Sequence, residues 1–203
     1  DSSIEKVVIN NMSDKGIFLA SGSDNSIRNN EFKQNLNNGV YFGSDSTNNI
    51  IRNNFVDSSK TGISFASVRS YNNTIKDNFV YNSLTDGIYV AAASKPSIVI
   101  NNVIDKSSDG IDGGTVVVIN NTVTNGAYGI RAGSNSSVEN NAIMYTSGYG
   151  IYTSSSSDVY ISNNSVIKNT GSGIGLSSVV NSVVFNNKII ENVEILCRSC
   201  RLK

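Results

Sequence analysis

Short apolar stretches, each closed by an Asn-Asn or Asp-Asn pair, recur along almost the whole chain. The nine occurrences are VVINN (ending at Asn11), SIRNN (Asn30), IIRNN (Asn54), TIKDN (Asn78), IVINN (Asn102), VVINN (Asn121), SVENN (Asn141), YISNN (Asn164) and VVFNN (Asn187). Successive second Asn residues lie 19, 24, 24, 24, 19, 20, 23 and 23 positions apart. A second marker keeps step with the first: Gly followed by Ile or Val, at Gly16, Gly39, Gly62, Gly87, Gly110, Gly129, Gly150 and Gly173. After these glycines the apolar positions alternate, as in Gly39-Val-Tyr-Phe and Gly87-Ile-Tyr-Val, which is the period of a strand. Helical repeats are longer and need a 3.6-residue period, and the Leu framework of leucine-rich repeats is missing. Three short strands and three turns fit one coil of this length. The pattern therefore predicts an all-β, right-handed parallel β-helix of about nine coils, a rod on the order of 40 Å long at ~4.8 Å per coil.

Asn tolerates the left-handed backbone of a sharp corner, and its amide both donates and accepts, so stacked Asn pairs are expected to bond along the rod. The residues three before each second Asn (Ile27, Ile51, Ile75, Val99, Val118, Val138, Ile161, Val184) should point inward. So should those after the glycines (Ile17, Val40, Ile63, Ile88, Ile111, Ile130, Ile151, Ile174). The solenoid is expected over residues 1–190, with 191–203 a degenerate cap or basic tail. The first coil is already under way at Val7–Asn11, which predicts that a longer parent chain or another subunit of a homo-oligomer covers its open end.

Composition narrows the function classes. Sixteen basic and sixteen acidic residues cancel, leaving no global field to attract nucleic acid or an anionic membrane. No apolar run approaches the ~20 residues of a membrane-spanning helix. The chain has no His, so it cannot build a Ser-His-Asp triad or a His-ligated metal site. Cys197-Arg-Ser-Cys200 is half of a zinc motif without the other half, leaving a local disulfide or two free thiols. No signal peptide is visible from Asp1 onward, which does not argue for the cytoplasm. Five glycosylation-type sequons, at Asn11, Asn72, Asn120, Asn135 and Asn163, fit an exported protein, although a chain this rich in Asn and Ser also makes them by chance; the expected place is outside the cell, on its surface or on a virion. Asn11, Asn120 and Asn163 are expected at corners that crowd a glycan.

The repeat, with its Asn corners, resembles the parallel β-helices of the pectate lyase and polygalacturonase superfamily across about residues 5–190. The resemblance implies the scaffold, which serves lyases, hydrolases, epimerases, tailspikes and adhesins alike. Ser108-Asp109-Gly110-Ile111-Asp112 is similar to the Asn-Thr-Asp-Gly segment that bears a catalytic carboxylate in polygalacturonases, which would make Asp109 an acid. The Asn is replaced, and the family's adjacent Asp pair, Gly-His-Gly and Arg-Ile-Lys elements are missing. Asp86-Gly87-Ile88 carries the same local string as part of the repeat.

Strand alternation supplies a further lead. If the residue after each Gly points inward, the next points outward, and down the stack that column reads Phe18, Tyr41, Ser64, Tyr89, Asp112, Arg131, Tyr152, Gly175. Tyr rings stack on the apolar faces of sugars, while Asp and Arg bond hydroxyls or carboxylates, so Tyr41, Tyr89, Asp112, Arg131 and Tyr152 are candidate carbohydrate-binding residues. The plainer reading is ordinary strand formers with a surface ion pair between Asp112 and Arg131. A second outward column reads Ile9, Arg28, Arg52, Lys76, Ile100, Ile119, Glu139, Ser162, Phe185. Its stacked cations Arg28, Arg52 and Lys76 form a second, basic face that an acidic polymer, or nearby Glu31 and Asp77, would offset, and its apolar members suggest that part of the face is covered.

Three functions follow in order of expectation. The first is a module that recognises polysaccharide without catalysis; the second is the structural shaft of a filament or tailspike. The third is a polysaccharide lyase or hydrolase, with Asp109, Asp112 and Arg131 as weak catalytic candidates. As a lyase, Arg131 would be the base and Asp112 would hold calcium against a uronate carboxylate. Outside that third reading no cofactor or metal is expected. The even spacing, without long inserted loops to wall a cleft, counts against catalysis.

Overall fold

A computed structural model describes residues 2–202 of the 203-residue chain. The backbone winds as a right-handed parallel β-helix whose strands fall into three long parallel sheets, with a short two-stranded one formed by Gly22–Ser23 and Ser46–Thr47. The first sheet has ten strands, from Ser3–Glu5, Ser26–Arg28 and Ile50–Arg52 through to Arg201–Leu202. The second has nine, from Val8–Asn10 and Glu31–Lys33 to Lys188–Ile190. The third also has nine: Lys15–Leu19, Asn38–Phe42, Thr61–Phe65, Asp86–Val90, Asp109–Gly113, Tyr128–Ala132, Ile151–Ser154, Ile174–Ser177 and Ile195–Arg198. No helix among the described residues is long and apolar enough to cross a membrane.

The Asn pairs act as their chemistry predicts. In every pair from Asn29-Asn30 onward the first member turns the corner in the left-handed region, with φ of 57° at Asn29, 54° at Asn53 and 55° at Asp77. The second points inward, buried from Asn30 to Asn164 and half-buried at Asn187, and these amides form one continuous ladder. Asn30 Nδ2 donates to Asn54 Oδ1, Asn54 to Asn78 and Asn78 to Asn102, each at 3.0 Å, and the series runs on to Asn187. Each Oδ1 also accepts the backbone N–H of the Asn one coil earlier, so a buried corner carries no orphan amide. The other two corners carry related stacks, with Asn25, Asn49 and Asn73 at one and Asn169 and Asn192 at the other.

The first coil corrects the register. Ser3–Glu5 pairs with Ser26–Arg28, and Val7 N–H donates to Asn30 Oδ1 at 3.1 Å. Lys6 and Val7 thus hold the first corner of the Asn ladder, although neither is Asn. Asn11 turns the next corner at φ 55°, level with Gln34, and Ile9 belongs to the second sheet opposite Phe32. Glu5, not Ile9, therefore tops the basic column, 2.8 Å from Arg28. The column itself is real: Arg28, Arg52 and Lys76 are register neighbours, followed by Ile100 and Ile119. Of the two acids expected to offset it, Glu31 pairs with Lys33 and Asp77 accepts from Asn101. The sequon residues Asn11, Asn72, Asn120, Asn135 and Asn163 are all exposed, so their corners face solvent and do not crowd them.

The core is a set of parallel columns. Both predicted columns are buried, except that Val184 is only partly so. The second sheet adds Phe32, Val56, Val80, Ile104, Val123, Ile143 and Val166. The recurrent glycines do not turn corners, since none has a positive φ. Six of them lie within third-sheet strands and Gly150 and Gly173 immediately before one, and a Cβ at Gly87 would fall 2.7 Å from Gly110 O and 2.5 Å from Ile104 Cγ2. Their absent side chains let the second and third sheets close on each other. Beyond residue 190, where a cap or tail was expected, Ile195–Arg198 and Arg201–Leu202 extend the third and first sheets, and Cys197 is paired with Cys200.

Candidate functional site

The register of the third sheet lines up Phe18, Tyr41, Ser64, Tyr89, Asp112, Arg131, Tyr152 and Gly175 as successive neighbours. Beside this column runs another outward one, formed by the residues that precede the glycines, in which Asp86, Asp109 and Tyr128 are register partners. Neighbouring strands bring residues 26 positions apart side by side, and the two columns together build an acidic cluster. The carboxylate oxygens of Asp86, Asp109 and Asp112 lie within 4.8 Å of one another. Arg131 closes the cluster: its Nη1 is 2.6 Å from Asp109 Oδ2 and 3.8 Å from Asp112 Oδ2. The ion pair anticipated between Asp112 and Arg131 is thus the longer of two, and the shorter goes to Asp109, which is only 8 % exposed.

Three carboxylates in so small a space cannot all ionise freely. Burial, followed by the charges of Asp112 and Asp109, pushes the Asp86 carboxyl up to about 6. Burial also raises Asp112, with Arg131 pulling it back and Asp109 adding to the rise. The Arg131 guanidinium is held more firmly protonated, first by its hydrogen bond to Asp109. Burial and the nearby Asp112 and Asp86 raise the Tyr89 phenol. The cluster therefore contains a carboxyl, Asp86, that holds its proton up to about pH 6, well beyond the ordinary carboxylate range. The same three carboxylates could jointly ligate a metal ion, and hard oxygen donors of this kind suit calcium.

Aromatic side chains flank the cluster. The Tyr128 ring lies 5.3 Å from the Arg131 guanidinium carbon, 5.8 Å from Tyr149 and 6.1 Å from Tyr152. Tyr149 and Tyr152 are 4.7 Å apart, over Gly175, where a Cβ would run into the Tyr149 ring. Next to them is a hollow of about 170 Å³ lined by Asp112, Arg131 and Tyr152, with Gly113, Gly114 and Gly133 among its other lining residues. Its origin is in the coil lengths. Between the third and first sheets the chain spends Ala91–Pro96 in one coil but only Gly114 and Thr115 in the next. The two shortest true intervals of the repeat, 19 and 20 residues, thus recess the wall beside Asp112. A cleft arises here from shortening, where long insertions were the expected means.

Of the candidate residues, Tyr89, Asp109, Asp112, Arg131 and Tyr152 come together. Tyr41 lies two strands before Tyr89, packed 5.6 Å from Phe18 and with Lys15 over its ring at 5.2 Å. Arg28, Arg52 and Lys76 are on the first sheet, away from this cluster. Asp86, Tyr128 and Tyr149 were missed as site residues. The signal for all three is the position before each glycine, which alternation also directs outward.

The family model described as "Right handed beta helix region" matches residues 1–123 and 67–199. No curated protein matches the chain in sequence. Among solved structures, the A-module of the mannuronan C-5 epimerase AlgE4 from Azotobacter vinelandii superposes with a TM-score of 0.69 at 19 % identity, covering 96 % of this chain and 62 % of that one. The enzymatically active domain of tailspike protein 2 from bacteriophage CBA120 gives 0.66 at 9 % identity, covering 97 % and 38 %. The A-module of AlgE6 from Azotobacter vinelandii gives 0.52 at 12 %, covering 97 % and 79 %. The chain thus spans less than two thirds of the length of the first two, and at these identities the likeness is one of fold.

Proposed function

The chain belongs to the right-handed β-helix region family, and from that premise we propose that it acts on a polysaccharide, as a glycoside-cleaving module whose reaction centre is the acidic cluster of the third sheet. The observation that carries this reading is the crowding of Asp86, Asp109 and Asp112 around Arg131, with the Asp86 carboxyl raised to about 6. Glycoside cleavage needs one carboxyl that holds its proton and one that has lost it, and unequal environments produce such a pair. Asp86 donates the proton to the departing glycosidic oxygen. Asp112, on the neighbouring strand beside the hollow, supplies the carboxylate that attacks the sugar carbon as the glycosidic bond breaks; water, giving its proton to Asp86, then hydrolyses the ester and restores both carboxyls. Asp109 fixes Arg131, which bonds a sugar hydroxyl. Tyr89, Tyr128 and Tyr152 stack on adjoining units.

Carboxylate oxygens within 4.8 Å of one another sit nearer the ~5–5.5 Å separation of retaining enzymes than the ~6.5–9.5 Å of inverting ones. Retention at the anomeric carbon is the corresponding expectation. The proposal differs from a lyase with Arg131 as base, because a guanidinium bonded to Asp109 is a poor proton acceptor. Placement outside the cell or on a virion goes with such a substrate and is part of the proposal. So is the absence of any nucleic-acid partner.

A second reading is favoured by the same three carboxylates. Bound calcium there would bridge them to a uronate and turn the face into a cation-dependent binding or lyase site. One assay separates the two. The purified protein is incubated with a panel of neutral, amino and uronic polysaccharides, with calcium or with chelator, following new reducing ends and the absorbance of unsaturated products. New reducing ends without that absorbance, lost in Asp86→Asn and Asp112→Asn, support hydrolysis. Calcium-dependent unsaturated product supports the second reading. Retained binding with no turnover would sink both catalytic assignments and return the face to recognition alone.

A further inference from the structure

The outer face of the first sheet presents two register columns whose members are exposed or half-buried, except Ser162 at the far end, which is fully buried. One reads Ile50, Thr74, Ile98, Val117, Ser137 and Tyr160; the other reads Arg52, Lys76, Ile100, Ile119, Glu139 and Ser162. Ile50 is 40 % and Ile98 38 % exposed, and Phe185 further along is 45 % exposed. The strip is apolar at its centre and charged with opposite sign on either side: Lys76 one strand before the centre, Glu139 one strand after it. Among the described residues neither has an ion partner. They stand three strands apart, about 14 Å at the usual strand spacing, too far to meet within one chain.

We infer that this face binds a second copy of the same chain, antiparallel, about a two-fold axis that runs along the strands between Ser97–Ile100 and Val116–Ile119. That operator exchanges the strand before the centre with the strand after it and keeps each column opposite itself. Lys76 of each copy then faces Glu139 of the other, twice per dimer. Ile98 meets Val117, Ile100 meets Ile119, Thr74 meets Ser137, and Ile50 meets Tyr160. The match is self-complementary at every one of these positions, as an isologous interface requires. The parallel alternative sets each coil against its own copy and brings the Arg28, Arg52 and Lys76 columns of both copies side by side at one end of the interface with no acid between them, which like-charge repulsion opposes. Six strands at about 4.8 Å by three residues at about 3.3 Å give a patch on the order of 300 Å² per copy. That is smaller than the ~800 Å² per partner of a standard specific pair, so the dimer is weak and dissociates on dilution. The acidic face, on the third sheet, stays free in both copies, and the inference does not rest on its function.

Analytical ultracentrifugation over a micromolar concentration series tests the arrangement. Wild type should pass from monomer to dimer. Lys76→Glu and Glu139→Lys, each with unchanged circular dichroism, should weaken self-association about tenfold or more, since each places like charges together twice. An equimolar mixture of the two variants should dimerise again, because the mixed pair restores one original contact and creates one reversed contact. A wild type that stays monomeric throughout overturns the inference. So do single variants that associate as well as wild type, or a mixture no better than its components.

Discussion

Arg131 Nη1 stands 2.6 Å from Asp109 Oδ2, across neighbouring strands of the third sheet. Asp109 is almost fully buried while the Arg131 side chain is 42 % exposed, so the guanidinium spans from solvent to an interior carboxylate. This pair anchors the cluster, and the first prediction concerns it. Arg131→Ala leaves the Asp109 carboxylate buried without a counter-charge and should cost about 1–3 kcal/mol, less than for a fully buried pair because solvent reaches the site. Adding Asp109→Asn should recover much of that loss. Urea titration of the two single variants and the double variant gives the coupling; additive losses would show that the pair does not anchor the cluster.

The second prediction follows from the raised Asp86 carboxyl. Its folded value of about 6 lies above the ordinary aspartate value of 3.8, so the folded state binds more protons between those limits. Stability from this group is therefore present at low pH and lost as pH rises through 6. Asp86→Asn should stabilise the protein above pH ~6.5 by about 1 kcal/mol, allowing for the group's partial exposure, and by almost nothing near pH 4. Thermal melts at the two pH values measure the difference. Equal effects at both would remove the link to Asp86 titration. In the proposed reaction the same group makes turnover of wild type fall as pH rises through about 6.

The Asn ladder makes the third prediction. Asn78 Nδ2 donates to Asn102 Oδ1, Ile51 O and Lys76 O, and its Oδ1 accepts from Asn54. Asn78→Ala cuts the ladder in the middle and leaves buried partners on both sides, at a cost of about 2–4 kcal/mol. Asn187→Ala, at the less buried end of the ladder, should cost less. Denaturant midpoints that rank the two the other way would contradict the ladder account.

A fourth prediction tests why glycine recurs. At Gly87 an added methyl would press on Gly110 O, Ile104 Cγ2 and, at 3.0 Å, Ser107 Oγ, all from the following coil. Gly87→Ala should destabilise by about 1–3 kcal/mol despite alanine's better strand entropy. Trimming the neighbour, in Gly87→Ala with Ile104→Ala, should cost less than the sum of the singles. Additivity in chemical denaturation would mean that the contact is not what excludes a side chain.

Much of this protein was legible residue by residue. Ile27, Ile51 and Ile75 read as core because alternation in a strand sends every second side chain the same way, and they are fully buried. The phase of the first coil was not legible. Val-Val-Ile-Asn-Asn matches the repeat as well as any other string, yet Asn11 turns a different corner from Asn30. Both corners demand the same left-handed residue, and only the partner in the next coil distinguishes them. Asp86 was set aside for a similar reason: its Gly-Ile context is common to every coil, and nothing local marks it as a neighbour of Asp112.

By itself the sequence determined the solenoid, its coil length and most of its core, because strand period and corner chemistry are local properties that repeat. Only the tertiary structure decided which outward residues share a site. Asp86, Asp109, Asp112 and Arg131 come from three strands and meet through inter-coil register, and the hollow beside them exists because two coils are short. Register is a property of pairs of coils, set by ladder bonds and by glycines that let one sheet approach another. Charge crowding, and with it the raised Asp86 carboxyl, follows from that packing and has no signature in any single repeat.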